Sequence, residues 1–176
     1  FHLMLEEKLK EVIKEIPDFP KPGISFKDIT PLLSEVELYP HIIDALAQPW
    51  KSKVDVVLGV ESRGFLFGMG LAQALKVPFI PIRKKGKLPR SVISESYKLE
   101  YGSACIEIHE EDLSPNSRVL IHDDLLATGG TAMAASKLVK KANAIPTGFS
   151  FIVELEFLKA ANELQNYAAI HSLLKY

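Results

Sequence analysis

The sequence has a single cysteine, almost no net charge and no long uninterrupted apolar run. One cysteine, Cys105, cannot form an internal disulfide or a multi-cysteine zinc site, so a disulfide-stapled scaffold is excluded and we expect a buried, inert thiol. The 21 Lys and Arg residues balance 22 Asp and Glu residues, and the net charge of -1 favours neither nucleic acid nor a membrane as partner. The longest mainly apolar stretch, residues 64–75, falls short of the roughly 20 residues that a membrane-spanning helix needs.

Metal-ligand spacing is also missing, because the five histidines are scattered along the chain. We therefore expect no metal site formed by the protein alone. His122 differs from the others because it lies inside an apolar run, directly before Asp123. We interpret His122 as a structural histidine with satisfied hydrogen bonds.

What the sequence does contain is the pattern of one α/β domain. Its 176 residues fit a single domain, residues 1–176, and 47% apolar residues supply a core. Apolar runs alternate with helical stretches, and this alternation predicts a mostly parallel twisted sheet flanked by helices. The predicted strands are residues 54–60, 77–82, 118–123 and 147–153, and the predicted helices between them are residues 65–75 and 131–141.

The first fifty residues have a different character. Apolar residues at helical spacing from Leu5 to Ile16 predict an amphipathic helix that Pro17 ends. Residues 17–31 contain four prolines among apolar side chains, which predicts a stiff loop that packs on the domain. A further helix is predicted near residues 35–48.

Polar loops follow three of the predicted strands, where parallel sheets bind their ligands. In residues 123–131 two aspartates precede a Gly-Gly turn flanked by threonines and a helix start. Backbone N–H groups at a helix N-terminus bind phosphate, and adjacent carboxylates accept hydrogen bonds from vicinal hydroxyls, so we expect a ribose phosphate here. Gly129 would leave the backbone open to the phosphate. The alternative is an ordinary helix cap at Thr128 with solvated aspartates.

Basic side chains mark the other two loops. Arg63 follows one strand within residues 61–64, and residues 83–90 hold five basic residues with Gly86 and Pro89 among them. Such a loop predicts a mobile basic flap over a polyphosphate, although a surface ion pair for Arg63 and solvated loop charge are the ordinary alternatives. A P-loop protein, a Rossmann dinucleotide-binding protein and a serine hydrolase are excluded, because the glycine motif of each is missing from the sequence.

Five segments together resemble a known family. Residues 119–131 (VLIHDDLLATGGT) resemble the phosphoribosyl pyrophosphate signature of type I phosphoribosyltransferases. Residues 17–31, 61–65, 85–89 and 97–102 narrow the resemblance to the adenine phosphoribosyltransferases, with a weaker match at residues 154–158. The resemblance implies the type I phosphoribosyltransferase fold, with residues 17–31 as a hood segment over the base and residues 83–101 as a flexible flap.

The same resemblance implies an activity in purine salvage. A nucleotide-binding glycosyltransferase of this family transfers the phosphoribosyl group from phosphoribosyl pyrophosphate to adenine and releases AMP and pyrophosphate. It also implies Mg²⁺ bound mainly through substrate phosphates and ribose, a homodimer, a cytoplasmic location, and neither nucleic acid nor membrane as partner.

The resemblance also implies roles for the residues at the positions that match the family's motifs. The catalytic group implied is Glu100 as acid or base, with Arg63, Lys87 and Tyr101. The ribose and its 5′-phosphate are assigned to Asp123, Asp124, Ala127, Thr128, Gly129, Gly130 and Thr131. Pyrophosphate is assigned to Ser62, Arg63, Arg83, Lys84 and Lys87, and the base to Ser25, Phe26, Lys27 and Leu155.

Two alternatives remain open at this point. A transferase for xanthine, guanine or hypoxanthine would differ in what faces Ser25 to Lys27. A regulator that senses phosphoribosyl pyrophosphate would share the phosphate loop but carry a basic helix-turn-helix, and residues 1–50 hold no room for a basic recognition helix.

Overall fold

A seven-stranded sheet forms the centre of the computed structural model, which describes residues 2–99 and 101–176. Five neighbouring strands run parallel: β3 (Val56–Val60), β4 (Phe79–Lys84), β7 (Arg118–Leu126), β8 (Ile145–Glu154) and β9 (Ala169–Lys175). All five residues of β3 are buried, as expected of a central parallel strand covered on both faces. The predicted fold class is confirmed, and β9 is an additional parallel strand that the sequence reasoning missed.

An antiparallel hairpin extends one edge of this sheet. Strands β5 (Val92–Lys98) and β6 (Ser103–His109) pair with each other, and β6 pairs with the end of β4. The strand order is therefore β5-β6-β4-β3-β7-β8-β9. Most residues of β5 are only half-buried, so this strand lacks the continuous apolar run that marks the central strands.

Helices cover both faces of the sheet and create two apolar clusters. Helices α1 (His2–Val12), α2 (Tyr39–Ala47) and α3 (Gly64–Leu75) pack on one face, where Leu9, Leu46 and Leu71 meet Val57 of β3. Helix α4 (Gly130–Lys141) packs on the other face, where Leu138 meets Leu58. Successive β3 residues thus point to opposite clusters. The short helix α5 (Ala160–Leu164) and three 3₁₀ helices, Thr30–Ser34, Gln48–Trp50 and Glu156–Leu158, complete the described elements.

The N-terminal helix is shorter than predicted. It ends at Val12, and Lys14–Ile16 forms β1, which pairs antiparallel with β2 (Phe26–Asp28). The prediction of a helix to Ile16 was wrong because a residue that precedes proline is disfavoured in the helical region and favours extended backbone. Of these two strands, only β2 belongs to the hood segment, residues 17–31. Residues 17–25 are exposed, so the prediction that this whole segment packs on the domain was wrong. None of the described helices is long and apolar enough to cross a membrane.

Candidate active site

Three loops meet at the carboxyl edge of the parallel strands, as the sequence predicted. They border a cleft of about 390 Å³ between the sheet and the β5–β6 hairpin. The polar side chains that line the cleft come from four strands, their following loops and the first turn of α4: Glu61, Lys84, Lys85, Tyr97, Asp123 and Thr131. A smaller hollow beside it is lined by the loop between β7 and α4. This edge therefore brings acidic, basic and hydroxyl groups together around one space.

The loop between β7 and α4 has the geometry of a phosphate cradle. Helix α4 begins at Gly130, and Gly129 precedes it with φ +84°, a left-handed conformation that favours glycine. Thr128 is exposed at the mouth of the hollow, so its hydroxyl is available to a ligand. A helix N-terminus with free N–H groups favours an anion. Residues 127–131 are thus gathered as expected, and their role in phosphate binding stays a prediction.

Gly129 has a structural role that differs from the expectation. A Cβ at this position would lie 3.1 Å from the Cβ of Ala160 in α5. A side chain here would therefore press on a neighbouring helix in addition to straining the backbone. The glycine is needed for the fold of the loop, whatever ligand the loop binds.

The two adjacent aspartates of β7 have different surroundings. Asp123 lines both the cleft and the hollow, and its Oδ1 accepts a hydrogen bond from the Asp124 N–H at 2.8 Å. The Asp124 side chain is 3% exposed, and its Oδ2 lies 3.0 Å from Nε of Arg63. That contact is an ion pair without an aligned hydrogen bond. Asp123 is therefore the carboxylate placed to meet a ligand, and a contact of Asp124 with ribose stays a prediction.

Burial is the main influence on Asp123. Loss of water raises the pKa of its carboxyl well above the ordinary value, and the neighbouring charge of Asp124 raises it further. The positive charge of Arg63 opposes this shift. A ligand that donates hydrogen bonds to Asp123 would favour the ionised form and offset part of that penalty.

Arg63 connects β7 to the hood segment. Besides its contact with Asp124, its guanidinium carbon lies 5.2 Å from the centroid of the Phe26 ring. The loop that carries Arg63 is packed closely, since a Cβ at Gly64 would lie 3.0 Å from the carbonyl oxygen of His122. The preceding Ser62 is exposed. Arg63 is thus fixed between the segment assigned to the base and the strand assigned to the ribose.

The basic stretch, residues 83–90, is only partly a loop, although its composition predicted a loop throughout. Arg83 and Lys84 are the last residues of β4, and Arg83 Nε lies 3.1 Å from Glu61 Oε2. The N–H of Lys84 donates to the same oxygen at 2.8 Å. These contacts lower the pKa of Glu61, so it stays ionised. Arg83 is engaged by Glu61 in this structure, and its contact with pyrophosphate stays a prediction.

Three lysines follow or end β4 on the cleft side. Lys84 and Lys85 line the cleft, and Lys87 is exposed in the next turn. Lys85 was not among the assigned pyrophosphate ligands, although it belongs to the same basic run. Arg90 is held away by Asp112, with Nη2 2.8 Å from Oδ1. The lysines are therefore the cations of this run that are available to an anionic ligand.

About half of the predicted flap, residues 83–101, belongs to strands: the last two residues of β4 and the whole of β5. Residues 92–98 form β5, which is attached to α4 at both of that helix's ends. At the N-terminus of α4, Tyr97 Oη lies 2.9 Å from Thr131 Oγ1. At the C-terminus of α4, Lys141 Nζ lies 2.6 Å from Glu95 Oε2. Among the described residues of the predicted flap, residues 85–91, Leu99 and Tyr101 lie outside strands. Flexibility of residues 83–101 stays a prediction.

The tip of the hairpin reaches the hood. Tyr101 is 76% exposed, and Lys21 Nζ lies 5.1 Å from its ring centroid. A cavity of about 490 Å³ lies between these segments and the phosphate cradle. Glu100, the predicted acid or base, lies outside the residues that the structure describes.

Cys105 and His122 both lie near the cleft, in different environments. The prediction of a buried Cys105 was wrong, because its position on β6 leaves it half-buried in the cleft wall. His122 is fully buried, with Nδ1 3.2 Å from Ser150 Oγ and with Nε2 unpartnered among the described residues. The prediction of a histidine with satisfied hydrogen bonds was therefore wrong for Nε2. Burial lowers the pKa of His122 to about 4, so its ring is neutral. Within residues 2–99 and 101–176, no cluster of three or more His, Cys, Asp or Glu could hold a metal ion.

This arrangement of sheet, acidic strand end and phosphate cradle defines a phosphoribosyltransferase domain. The family model for the phosphoribosyl transferase domain matches residues 32–154, which include the central strands and all three loops.

Relatives with known names narrow the class. The adenine phosphoribosyltransferase of Nostoc punctiforme is 52% identical over 96% of this chain and 99% of its own length. The adenine phosphoribosyltransferase of Cytophaga hutchinsonii is 48% identical over 98% of this chain and 97% of its own length. The crystal structure of the Rhodothermus marinus adenine phosphoribosyltransferase superposes with a TM-score of 0.93 at 46% identity, covering 99% of both chains. The chain belongs to the adenine phosphoribosyltransferase family, which confirms the resemblance noted from the sequence.

Proposed function

We propose that the protein transfers the phosphoribosyl group from phosphoribosyl pyrophosphate to adenine, giving AMP and pyrophosphate in purine salvage. The observation that carries the proposal is the α4 phosphate cradle beside Asp123, in a chain about half identical to adenine phosphoribosyltransferases over nearly its whole length. A solved relative from Saccharomyces cerevisiae, 39% identical with a TM-score of 0.92, is complexed with adenine.

The cleft supplies the charges that this reaction needs. When pyrophosphate leaves the anomeric carbon, the ribose gains positive character and the leaving oxygens gain negative charge. Arg63, Arg83, Lys84 and Lys87 are the cations assigned to the leaving group. Arg83 is paired with Glu61 in this structure, and Lys85 lines the cleft beside Lys84. Asp123 would hold the ribose hydroxyls, and residues 127–131 would hold the 5′-phosphate through N–H groups and threonine hydroxyls.

Mg²⁺ fits this site as an ion held mostly by substrate. Of the two β7 aspartates, Asp123 faces the cleft, while Asp124 is paired with Arg63. Glu61 also lines the cleft, but it is engaged by Arg83 and by the N–H of Lys84. The Asp123 carboxylate suits an ion that takes its other oxygen ligands from phosphates, ribose and water. When bound, Mg²⁺ neutralises charge on the pyrophosphate group. Asp123 and the lysines of the cleft would then orient the substrate that carries the ion.

Base recognition is assigned to the hood and to the loop after β8. The backbone of Ser25 to Lys27 would hydrogen-bond adenine, and Leu155 would pack on the ring. Arg63 lies over Phe26 at this position, which places a cation beside the assigned base segment. Glu100 would accept or relay the N9 proton as that nitrogen attacks.

A panel of bases tests the proposal. Purified protein with phosphoribosyl pyrophosphate and Mg²⁺ should release pyrophosphate with adenine and far less with guanine, hypoxanthine or xanthine. Chelation of the metal should stop the reaction, and added Mg²⁺ should restore it. Equal use of guanine or hypoxanthine would overturn the adenine assignment while leaving the transferase class intact.

A homodimer in the cytoplasm is also part of the proposal. The family resemblance supports both, and a single cysteine agrees with a reducing compartment. Light scattering coupled to size exclusion should give about twice the 19.5 kDa chain mass. A monomeric mass with full activity would exclude the dimer as a requirement.

A further inference from the structure

Tyr176, which follows β9, contacts the hood through its ring. Lys27 Nζ lies 4.4 Å from the centroid of the Tyr176 ring, a cation–π geometry. The same ammonium lies 2.8 Å from Glu15 Oε2, and the Lys27 side chain is 10% exposed. Glu15 also accepts a hydrogen bond from the Ser25 hydroxyl. The side chains on either side of Phe26 are therefore anchored to β1 and to Tyr176.

The backbone of Tyr176 holds a second segment. Its N–H donates to the carbonyl of Glu154 at 2.9 Å, and its carbonyl accepts from the N–H of Glu156 at 2.8 Å. These two bonds bracket Leu155, whose own N–H donates to the carbonyl of Leu126 at 3.0 Å. Leu155 and Tyr176 also pack against the same apolar cluster. Tyr176 thus fixes the position of Leu155 by main-chain contacts.

We propose that Tyr176 is a positioning residue for the base, because it joins the two segments assigned to adenine across one side chain. Its ring contacts Lys27 of the Ser25 to Lys27 segment, and its backbone hydrogen bonds hold the residues on either side of Leu155. The proposal rests on the proposed function, since it assigns a structural cause to adenine affinity. Phosphate and pyrophosphate are assigned to β7, α4 and the loop after β4, whereas the Tyr176 contacts described above are with Lys27, Glu154 and Glu156.

The charges around this contact are stable at neutral pH. Hydrogen bonds from Lys27 and Ser25 lower the pKa of Glu15, so the carboxylate that partners Lys27 stays ionised. Burial raises the pKa of Tyr176, and the Glu15 charge adds to that shift, so the phenol stays neutral. The ammonium is therefore held between a carboxylate and a neutral ring.

Substitution of the ring separates base binding from phosphate binding. Tyr176→Leu removes the aromatic face and keeps the backbone bonds, whereas Tyr176→Phe keeps the face. We expect Tyr176→Leu to raise KM for adenine about three- to tenfold, in the range of one partly exposed cation–π contact, with KM for phosphoribosyl pyrophosphate unchanged. Calorimetry should show weaker AMP binding and unchanged ribose 5-phosphate binding. Tyr176→Phe should behave like the parent.

A matched control comes from the other face of the sheet. Lys140 Nζ lies 5.3 Å from the Tyr167 ring centroid, so Tyr167→Leu removes the same kind of contact away from the base segments. Its KM for adenine should stay at the parent value. Lys27→Met removes the contact from its other side and should reproduce the adenine defect if Tyr176→Leu fails to fold.

The possible outcomes distinguish this proposal from the function on which it rests. Equal losses of AMP and ribose 5-phosphate affinity, or an unchanged KM for adenine in Tyr176→Leu, would overturn the positioning role. Failure of the parent protein to use adenine would overturn the proposed function instead. A thermal double-mutant cycle of Lys27→Met and Tyr176→Leu measures the contact without any activity, and additive effects would show that the two side chains do not interact.

Discussion

The phenol oxygen of Tyr97 lies 2.9 Å from Oγ1 of Thr131, which joins the β5–β6 hairpin to the first turn of α4. The Tyr97 ring also lies beside Gly130, where a Cβ would be 3.6 Å from Cδ2 of the ring. The hairpin and the phosphate cradle therefore share a contact surface. A ligand bound in the cradle should therefore change the mobility of the hairpin through this hydrogen bond.

Removal of the Tyr97 hydroxyl should loosen the hairpin while keeping the ring in place. Tyr97→Phe loses one hydrogen bond, worth about 0.5–1.5 kcal/mol, so KM for phosphoribosyl pyrophosphate should rise about two- to tenfold. Limited proteolysis of residues 85–91 and 99–102 should become faster, and substrate should protect the parent more than the variant. Tyr167→Phe is the control. Identical protection of parent and Tyr97→Phe would show that the bond does not couple the two elements.

Arg63 should matter to both stability and catalysis, for separable reasons. Arg63→Gln leaves the buried Asp124 carboxylate without its counter-ion, which should cost about 1–3 kcal/mol of unfolding free energy. Asp124→Asn in that background removes the unpaired charge and should restore most of the stability.

Urea unfolding and pyrophosphate release, measured on the same three proteins, check this prediction. Activity should stay low in the double variant, because the cation that we assign to the leaving group is still missing. Recovered activity together with recovered stability would mean that Arg63 acts only by neutralising Asp124.

The central fold was predictable because its signals are local. A parallel strand buried on both faces is a continuous apolar run, and β3 and residues 119–121 of β7 show it. The β5 and β9 strands form the two edges of the sheet. β5 is mostly half-buried and β9 mixes exposed, half-buried and buried residues, so their sequences carry a weaker pattern. Pairing of Lys14–Ile16 with Phe26–Asp28 depends on two segments ten residues apart, which periodicity does not reveal.

Within the site, the sequence predicted which residues gather there better than it predicted which side chains contact each other. The order of Asp123, Asp124 and the Gly-Gly turn indicated a ribose phosphate, and the structure gathers those residues. The sequence could not indicate that Asp124 is taken up by Arg63, or Arg83 by Glu61, because each pair joins different strand ends. Tyr97 and Lys85 were missed for the same reason: their proximity to the cleft depends on the hairpin. The one signal in the sequence for these two residues was that they belong to segments 97–102 and 85–89, which resemble the family.

The phosphate cradle is best tested at Thr128. Its side chain is exposed, so Thr128→Ala should leave the melting temperature unchanged. A hydrogen bond to a charged phosphate is worth about 1.5–3 kcal/mol, so affinity for ribose 5-phosphate should fall about tenfold or more. Gly129→Ala is the contrasting variant, since φ +84° and the Ala160 contact should lower stability first. Calorimetry showing parent affinity in Thr128→Ala would remove this hydroxyl from the cradle.

Glu100 should affect the chemical step more than binding. Glu100→Gln keeps the shape and removes the basicity, and general acid or base assistance is worth about 10²- to 10⁴-fold. Single-turnover AMP formation should therefore slow within that range, while KM for phosphoribosyl pyrophosphate changes little. Single-turnover conditions are needed because slow product release could hide the loss. A chemical rate within about threefold of the parent would leave Arg63, Mg²⁺ and positioning as the whole mechanism.

His122 should make the fold sensitive to acid. Burial lowers its pKa from 6.5 to about 4 in the folded protein, so between these values the unfolded chain binds a proton that the folded chain does not. The stabilising contribution of the neutral ring is therefore complete above the unfolded pKa and is lost as pH falls from about 6.5 toward 4. Between pH 7 and pH 5 this single group should cost about 2 kcal/mol of unfolding free energy.

His122→Val removes the titrating ring and should flatten that part of the pH profile, whatever its stability at neutral pH. Ser150→Ala is the control, because it removes the Nδ1 partner at 3.2 Å and keeps the buried ring, so the acid-dependent loss should persist. Urea unfolding at half-unit steps between about pH 5 and pH 7, the window of the shifted histidine, gives both profiles. If His122→Val lost as much stability as the parent over this range, the acid sensitivity would belong to other groups and the buried ring would be only a packing element of β7.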